Sequence, residues 1–182
     1  MMLRTLVATM ALLSLTEFSH ADVEKHLVFR SPNRRWQVTA RWNTEHLGYV
    51  FDLQDRRSGK TYFKQAPVSD NEALPYRFSV VWSPGSRYAA VNLYYGRITQ
   101  GAVIIDVSGR EPEMHTSCSP DPLEHSDFLI LAHHWRNATD LDVAADLPHF
   151  LPHPPGSNTH YSLVVRFAGH KSNVIRKTGS HE

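Results

Sequence analysis

Tyr76 to Gly109, YRFSVVWSPGSRYAAVNLYYGRITQGAVIIDVSG, is the stretch on which the reading of the fold turns. Tyr76, Phe78, Val80 and Trp82 fall on alternate positions, so one face of a strand is apolar while the other carries Arg77 and Ser79. Ser83-Pro84-Gly85-Ser86 then reverses the chain. Proline presets φ for the second residue of a turn and glycine accepts positive φ at the third, the pattern of a type II turn. A second strand is expected from Tyr88. Ala102 to Val107, rich in β-branched residues and closed by Ser108-Gly109, makes a third.

The pattern recurs on either side. From Leu27 to Gly59, Ser31-Pro32-Asn33-Arg34 is a turn of the same kind, with Asn33 as the residue suited to positive φ. Trp36, Val38, Ala40 and Trp42 alternate after it, then Tyr49, Phe51 and Leu53. Ser31 to Ser83 is 52 positions and Asp52 to Asp106 is 54, so two landmarks recur at nearly one spacing, which favours a repeat over chance. A third copy is placed by Trp135, 53 positions after Trp82. Phe128, Ile130 and Ala132 lead into it, and Arg136-Asn137-Ala138-Thr139 replaces the Ser-Pro turn. Tyr161, Leu163, Val165 and Phe167 follow, with Arg166 before Gly169 as Asp106 stands before Gly109, and Asn173 to Lys177 forms a last short strand. The expected fold is all-β: about three four-stranded antiparallel repeats over roughly 27–65, 76–115 and 127–177, with proline-rich loops between. Three repeats can stand as an open arc, fold into a sandwich, or complete a ring with a second chain.

The run Trp82-Ser83-Pro84-Gly85-Ser86-Arg87-Tyr88-Ala89-Ala90-Val91, followed by Val103-Ile104-Ile105-Asp106-Val107-Ser108-Gly109, resembles one repeat of the WD40-like propeller family of TolB-type proteins. In that family an aromatic residue precedes Ser-Pro-Asp-Gly, an Arg and an aromatic follow, and a later strand ends in an Asp-containing turn. Here Gly85 and Ser86 stand where the family has Asp-Gly, so the copy is degenerate. The resemblance implies a propeller-like repeat domain that presents loops to another protein or to an envelope component.

Residues 1–21 read as a signal peptide: Arg4 supplies the positive start, Thr5 to Leu15 an apolar run too short to span a bilayer, and Ser19-His20-Ala21 the small residues of a cleavage site. Residues 22–182 then form a single β-repeat domain, about 160 residues long, exported to the periplasm or medium, with no membrane span in the mature chain. The 19 Lys and Arg against 18 Asp and Glu, with no basic block in the linear sequence, argue against a nucleic-acid partner. With Cys118 alone, no intrachain disulfide forms.

Candidate chemistry is concentrated in histidine, with twelve in the chain. His149, His153 and His160 lie in or beside the proline-rich loop from Pro148 to Thr159, His133 and His134 are adjacent before Trp135, and His115 and His125 flank the loop from Glu111 to Glu124. Three imidazoles could close a zinc or copper site, but no Cys or carboxylate accompanies them at a diagnostic spacing. His133 and His134 should point to opposite faces of a strand, so at most one could join such a site. No Gly-x-Ser-x-Gly elbow, phosphate loop or dinucleotide fingerprint occurs, and Ser83 and Ser86 read as turn residues. Cys118 could act as a thiol nucleophile, Tyr94-Tyr95-Gly96-Arg97 as a surface patch, and Asn137-Ala138-Thr139 as a glycan acceptor; against these, a lone cysteine is more often incidental, strand alternation buries one tyrosine and leaves the other as cross-strand cover, and the acceptor pattern is frequent by chance. The polar run from Lys64 to Leu74 is a connection of the same class.

The reading for function is accordingly a non-catalytic exported β-repeat scaffold, with no cofactor, metal or catalytic residue assigned. Its partner is expected to be another envelope or secreted protein. The alternative is a small hydrolase or metal-binding protein built on the histidine-bearing loops, and the two differ in whether titratable groups converge on one pocket.

Overall fold

The computed structural model of the chain describes residues 26–64, 74–95, 100–116, 129–146, 160–168 and 171–180, and their regular structure is all β-strand. The first sheet runs β1 (His26–Arg30), β2 (Trp36–Asn43), β3 (Gly48–Asp55) and β4 (Thr61–Lys64). The second runs β5 (Arg77–Trp82), β6 (Tyr88–Tyr94), β7 (Gln100–Asp106) and β8 (Glu113–Thr116). The third runs β9 (Leu129–Trp135), β10 (Asp140–Asp146), β11 (His160–Ala168) and β12 (Lys171–Ser180). Each sheet is an antiparallel meander whose strands lie in chain order. None closes on another, so the molecule is an open arc of three propeller-like blades. β8 lies within the run from Glu111 to Glu124 expected as a loop, and β12 is longer than the short strand expected from Asn173 to Lys177.

The blades pack face to face through two apolar layers. Blade 1 contributes Trp36, Val38, Ala40, Tyr49, Phe51 and Leu53 to the first, against Phe78, Ala89, Val91 and Ile105 of blade 2. The opposite face of blade 2, with Tyr88, Ala90 and Ile104, meets Leu141, Val143, Leu163 and Val165 of blade 3 in the second. Strand alternation produces this division directly: Ala89 and Val91 face one neighbour, Ala90 the other. Phe78 sits among Phe29, Phe51 and Tyr49 at centroid separations of 5.8, 5.2 and 6.4 Å. In the second layer Tyr88 stacks on Trp135 at 5.4 Å, with Phe167 against both.

Two register landmarks differ from the sequence reading. The expected type II turns, with positive φ at Gly85 and Asn33, are not formed. In both turns the fourth residue's N–H donates to the first residue's carbonyl, Ser86 to Ser83 and Arg34 to Ser31, each at 2.8 Å. Positive φ falls on that fourth residue, at 58° for both Ser86 and Arg34. A tight turn followed by a left-handed residue preserves the right-handed twist of the two strands, and this is the place where the repeat family carries glycine. The second correction concerns Asp52, which pairs with Thr39 on the outer face of blade 1; Asp55, opposite Trp36, is the counterpart of Asp106 opposite Tyr88.

Gly48 opens β3 beneath the segment entering blade 2. A Cβ there would lie 2.3 Å from Leu74 Cβ and 2.9 Å from its backbone carbon, while Tyr49 N–H donates to Pro75 carbonyl at 2.7 Å. Only glycine allows this approach of two backbones.

Candidate functional site

The side chains with most chemistry gather at the turn end of the arc. β2 and β3 are antiparallel, and Trp36 at the start of β2 faces Asp55 at the end of β3. The turn before β2 and the turn after β3 therefore share one end of the blade. The same holds for blade 2, where Tyr88 faces Asp106. A serine organises each turn from within. Ser31 Oγ accepts from Trp36 N–H at 3.0 Å, and Ser83 Oγ accepts from Tyr88 N–H at 3.0 Å and Arg87 N–H at 3.2 Å. Both serines are buried, so their hydroxyls are structural rather than nucleophilic.

An arginine–aspartate pair closes each blade at this end: Arg35 with Asp55 at 3.1 Å, Arg87 with Asp106 at 3.4 Å, and Arg166 with Asp140 at 2.7 Å. Blade 3 inverts the charges, with Arg166 at the end of the third strand where blades 1 and 2 have aspartate. Burial pushes the Asp55 carboxyl up, but N–H donors from Arg57 and Ser58 and the Arg35 guanidinium outweigh it, so the group titrates below its ordinary value. For Asp140 the Arg166 fork is the largest influence, opposed by burial and reinforced by Asn137 and Thr139, and the carboxyl is held well below the usual range. Arg166 is raised in turn by Asp140. These carboxylates are committed to salt bridges and are poor general acids or bases near neutral pH.

Among the described histidines, His133, His134 and His160 do not converge on one site. His133 and His134 are both exposed, contrary to the expectation of opposite faces, because β9 bulges: Asp142 faces His134 and the next residue, Val143, faces Ala132. The extra residue lets Ala132 and Trp135 both point inward with two residues between them. His134 Nε2 lies 2.9 Å from Asp142, which also takes the Arg136 guanidinium. His160 contacts Asp146, four residues farther along β10 and about 13 Å away at the rise of a strand. Among the described residues no group of three or more His, Cys, Asp or Glu has metal-binding geometry. His149, His153, His125 and Cys118 lie outside the described residues, as do 65–73, 117–124 and 148–159 of the three expected loops. His115 is on β8, its backbone facing Ile104.

The remaining candidates are held by local structure. Tyr94 and Tyr95 are both half-buried; Arg77 lies 5.6 Å over the Tyr94 ring, and Tyr95 packs on the first apolar layer. Gly96 and Arg97 lie outside the described residues. Asn137 Oδ1 accepts from the Thr139 and Asp140 N–H groups at 2.8 Å, and its amide donates to Asp140 at 2.9 Å. The amide nitrogen that a glycan would need is thus engaged in closing the turn.

Two features lay beyond the sequence reading. Asn92, buried in β6, uses its side-chain amide as a segment of backbone: Oδ1 accepts from Ala132 N–H and Nδ2 donates to Ala132 carbonyl, both at 2.9 Å. A polar residue inside the apolar run Ala89 to Leu93 was its only signal. The second is the indole N–H of each interface tryptophan, Trp82 to Phe29 carbonyl at 3.3 Å and Trp135 to Val81 carbonyl at 2.9 Å, a joint repeated between successive blades. The spacing of the two tryptophans marked it.

No protein-family model matches the sequence, and no curated protein resembles it closely. Solved structures of similar arrangement include the β-propeller domain of the trilobed protease from Pyrococcus furiosus, at 13% identity and a TM-score of 0.47 over 84% of this chain and 43% of that one. A prolyl endopeptidase matches at 12% identity and 0.44, over 83% of this chain and 21% of that one. A putative TolB from Agrobacterium tumefaciens matches at 12% and 0.42, over 85% of this chain and 50% of that one. The chain spans half or less of the length of each of these three proteins, and the likeness is one of blade arrangement alone.

Proposed function

We propose that this chain is an exported, non-catalytic β-repeat scaffold of the cell envelope, presenting the turns and loops of three blades to another protein. The observation that carries the reading is the use made of charge at the turn end. Each blade commits one arginine and one aspartate at this end to a salt bridge that closes the blade, and Asn33 N–H donates to Ser86 Oγ at 2.9 Å across the joint between blades 1 and 2. Turns braced in this way present their exposed residues in fixed positions, which lowers the entropy cost of binding. The degenerate TolB-type repeat pattern supports the same reading, and the apolar run at residues 5–15 with Ser19-His20-Ala21 supports export.

The test is photo-crosslinking in cells from an exposed turn residue such as Ser108, joined to N-terminal sequencing of the material recovered. The expected result is a protein starting at Asp22 in the envelope fraction, with a crosslink to one partner of defined mass. An intact Met1 on cytoplasmic material would overturn export, and stoichiometric zinc binding with hydrolytic activity would overturn the scaffold role.

A further inference from the structure

The sequence carries no basic block, yet folding assembles one. The turns of blades 1 and 2 at their common end (31–35, 55–60, 83–87 and 106–112) hold seven cations against three anions. All three anions are engaged: Asp55 by Arg35, Asp106 by Arg87, and Glu111 by Lys60 at 3.5 Å. Arg34, Arg56, Arg57 and Arg110 are exposed and make no ion pair among the described residues. Arg34 and Arg56 are held near one another by hydrogen bonds. Arg56 Nη1 donates to Arg34 carbonyl at 2.9 Å and Arg56 N–H to Arg35 carbonyl at 2.7 Å, which ties the two turns of blade 1 together. The Lys60–Glu111 pair and the Asn33–Ser86 bond then join blade 1 to blade 2 at this end.

The geometry points to this turn end as a docking surface for an anionic lipid bilayer, with phosphate headgroups as the recognised chemistry. The inference rests on the envelope-scaffold reading and specifies one component it would contact. Three properties favour a membrane over an acidic polypeptide. The four arginines are exposed and lie in turns at the common end of blades 1 and 2, where they can approach one surface together. None of the exposed large apolar residues, Val28, Leu47, Tyr76, Met114 and Ile175, lies in these turns, so the patch lacks the buried anchors on which protein interfaces concentrate their energy. Arginine forks suit phosphate oxygens, and each basic side chain close to an anionic leaflet strengthens attachment severalfold.

The experiment uses protein recovered from the envelope fraction of cells expressing the full chain, mixed with vesicles of phosphatidylglycerol and phosphatidylcholine or of phosphatidylcholine alone. Sedimentation should show binding to the anionic vesicles, none to the neutral ones, and a steep loss on raising salt, as surface charge is screened over about 8 Å at physiological ionic strength. R57Q/R110Q, at two exposed side chains, should weaken binding about tenfold or more while melting like the parent. R56Q/R57Q serves as a second variant, and R176Q on β12 should change nothing. Equal binding to neutral vesicles, or unchanged binding by both double variants, would overturn the proposal. Binding to a poly-glutamate peptide without binding to vesicles would replace the membrane by an acidic protein. A crosslinked envelope partner in cells together with no vesicle binding would leave the scaffold reading standing and remove this one.

Discussion

β6 in the middle blade is buried on both faces from Tyr88 to Leu93, whereas β2 and β10 in the flanking blades bury one face and turn a polar one outward. On blade 1 that outer face carries Gln37, Thr39, Arg41 and Asp52, with Gln37 bonded to Thr39 and Arg41 paired to Asp52. On blade 3 it carries His134, Asp142, Asp146 and Ser162. The difference shows where cohesion resides. The middle blade is the shared wall of both apolar layers, whereas the other face of blades 1 and 3 is lined by polar and charged side chains. Position 30 makes the contrast concrete: blades 2 and 3 place Trp82 and Trp135 at the strand end to donate to the preceding blade, while blade 1 has Arg30, exposed and bonded within its own blade to Gln37.

The largest effect should come from the second layer. Trp135→Ala removes the ring stacked on Tyr88 and the indole bond to Val81, and denaturant melts should show a loss of about 3–5 kcal/mol. Arg41→Ala on the outer face of blade 1 should stay within about 1 kcal/mol, since Arg41 is exposed and its pairing is screened. Equal losses at the two positions would break the distinction between the shared wall and the polar face of blade 1.

Asn92→Ala comes next. It leaves the Ala132 N–H and carbonyl buried without their partner, at a cost of about 2–3 kcal/mol. Hydrogen exchange would sharpen the comparison, because the Ala132 amide should lose protection in this variant while the Val38 amide of blade 1 keeps it. A loss of protection in both would make the arc one cooperative unit.

Acid should act through the flanking blades. Asp55 and Asp140 both titrate lower in the folded chain than unfolded, so the folded state binds fewer protons and its stability rises with pH. That contribution is complete above the ordinary carboxylate value of about 4 and is lost as pH falls toward the folded values. Asp140→Asn should therefore flatten the pH dependence of the melting temperature below about pH 4, while the contribution of Asp55 persists. An unchanged profile would show that the inverted pair of blade 3 contributes nothing.

The smallest effect concerns the turns. Arg34 is exposed at φ 58°, so Arg34→Gly should stabilise by about 0.5–1 kcal/mol. Ser86→Gly should gain less, because it also removes the acceptor for Asn33 N–H between blades 1 and 2. Equal gains would mean that this bond adds little to the joint.

Strand alternation from Trp36, Phe78 and Tyr161, and the near-constant spacing of Ser31 to Ser83 and Trp82 to Trp135, were legible in the chain because both are local: period two is a property of the backbone, and a repeated unit must rebuild the same hairpin each time. The existence of three blades and the inward face of each followed from these. The turn conformation did not. Gly85 and Asn33 looked like the left-handed residues by type, yet the hairpin placed that conformation on Ser86 and Arg34, because the twist of the paired strands selects the turn and the turn then imposes φ on whichever residue occupies the position. The bulge that exposes both His133 and His134 is of the same origin, since it answers to β10 and to Asn92 across the blade joint. The basic end of the arc is the furthest case: Arg34, Arg56, Arg57 and Arg110 are dispersed over 77 residues and become one surface only when antiparallel pairing and blade contact bring their turns together. Charge acts over distances through space, and tertiary structure alone sets those distances.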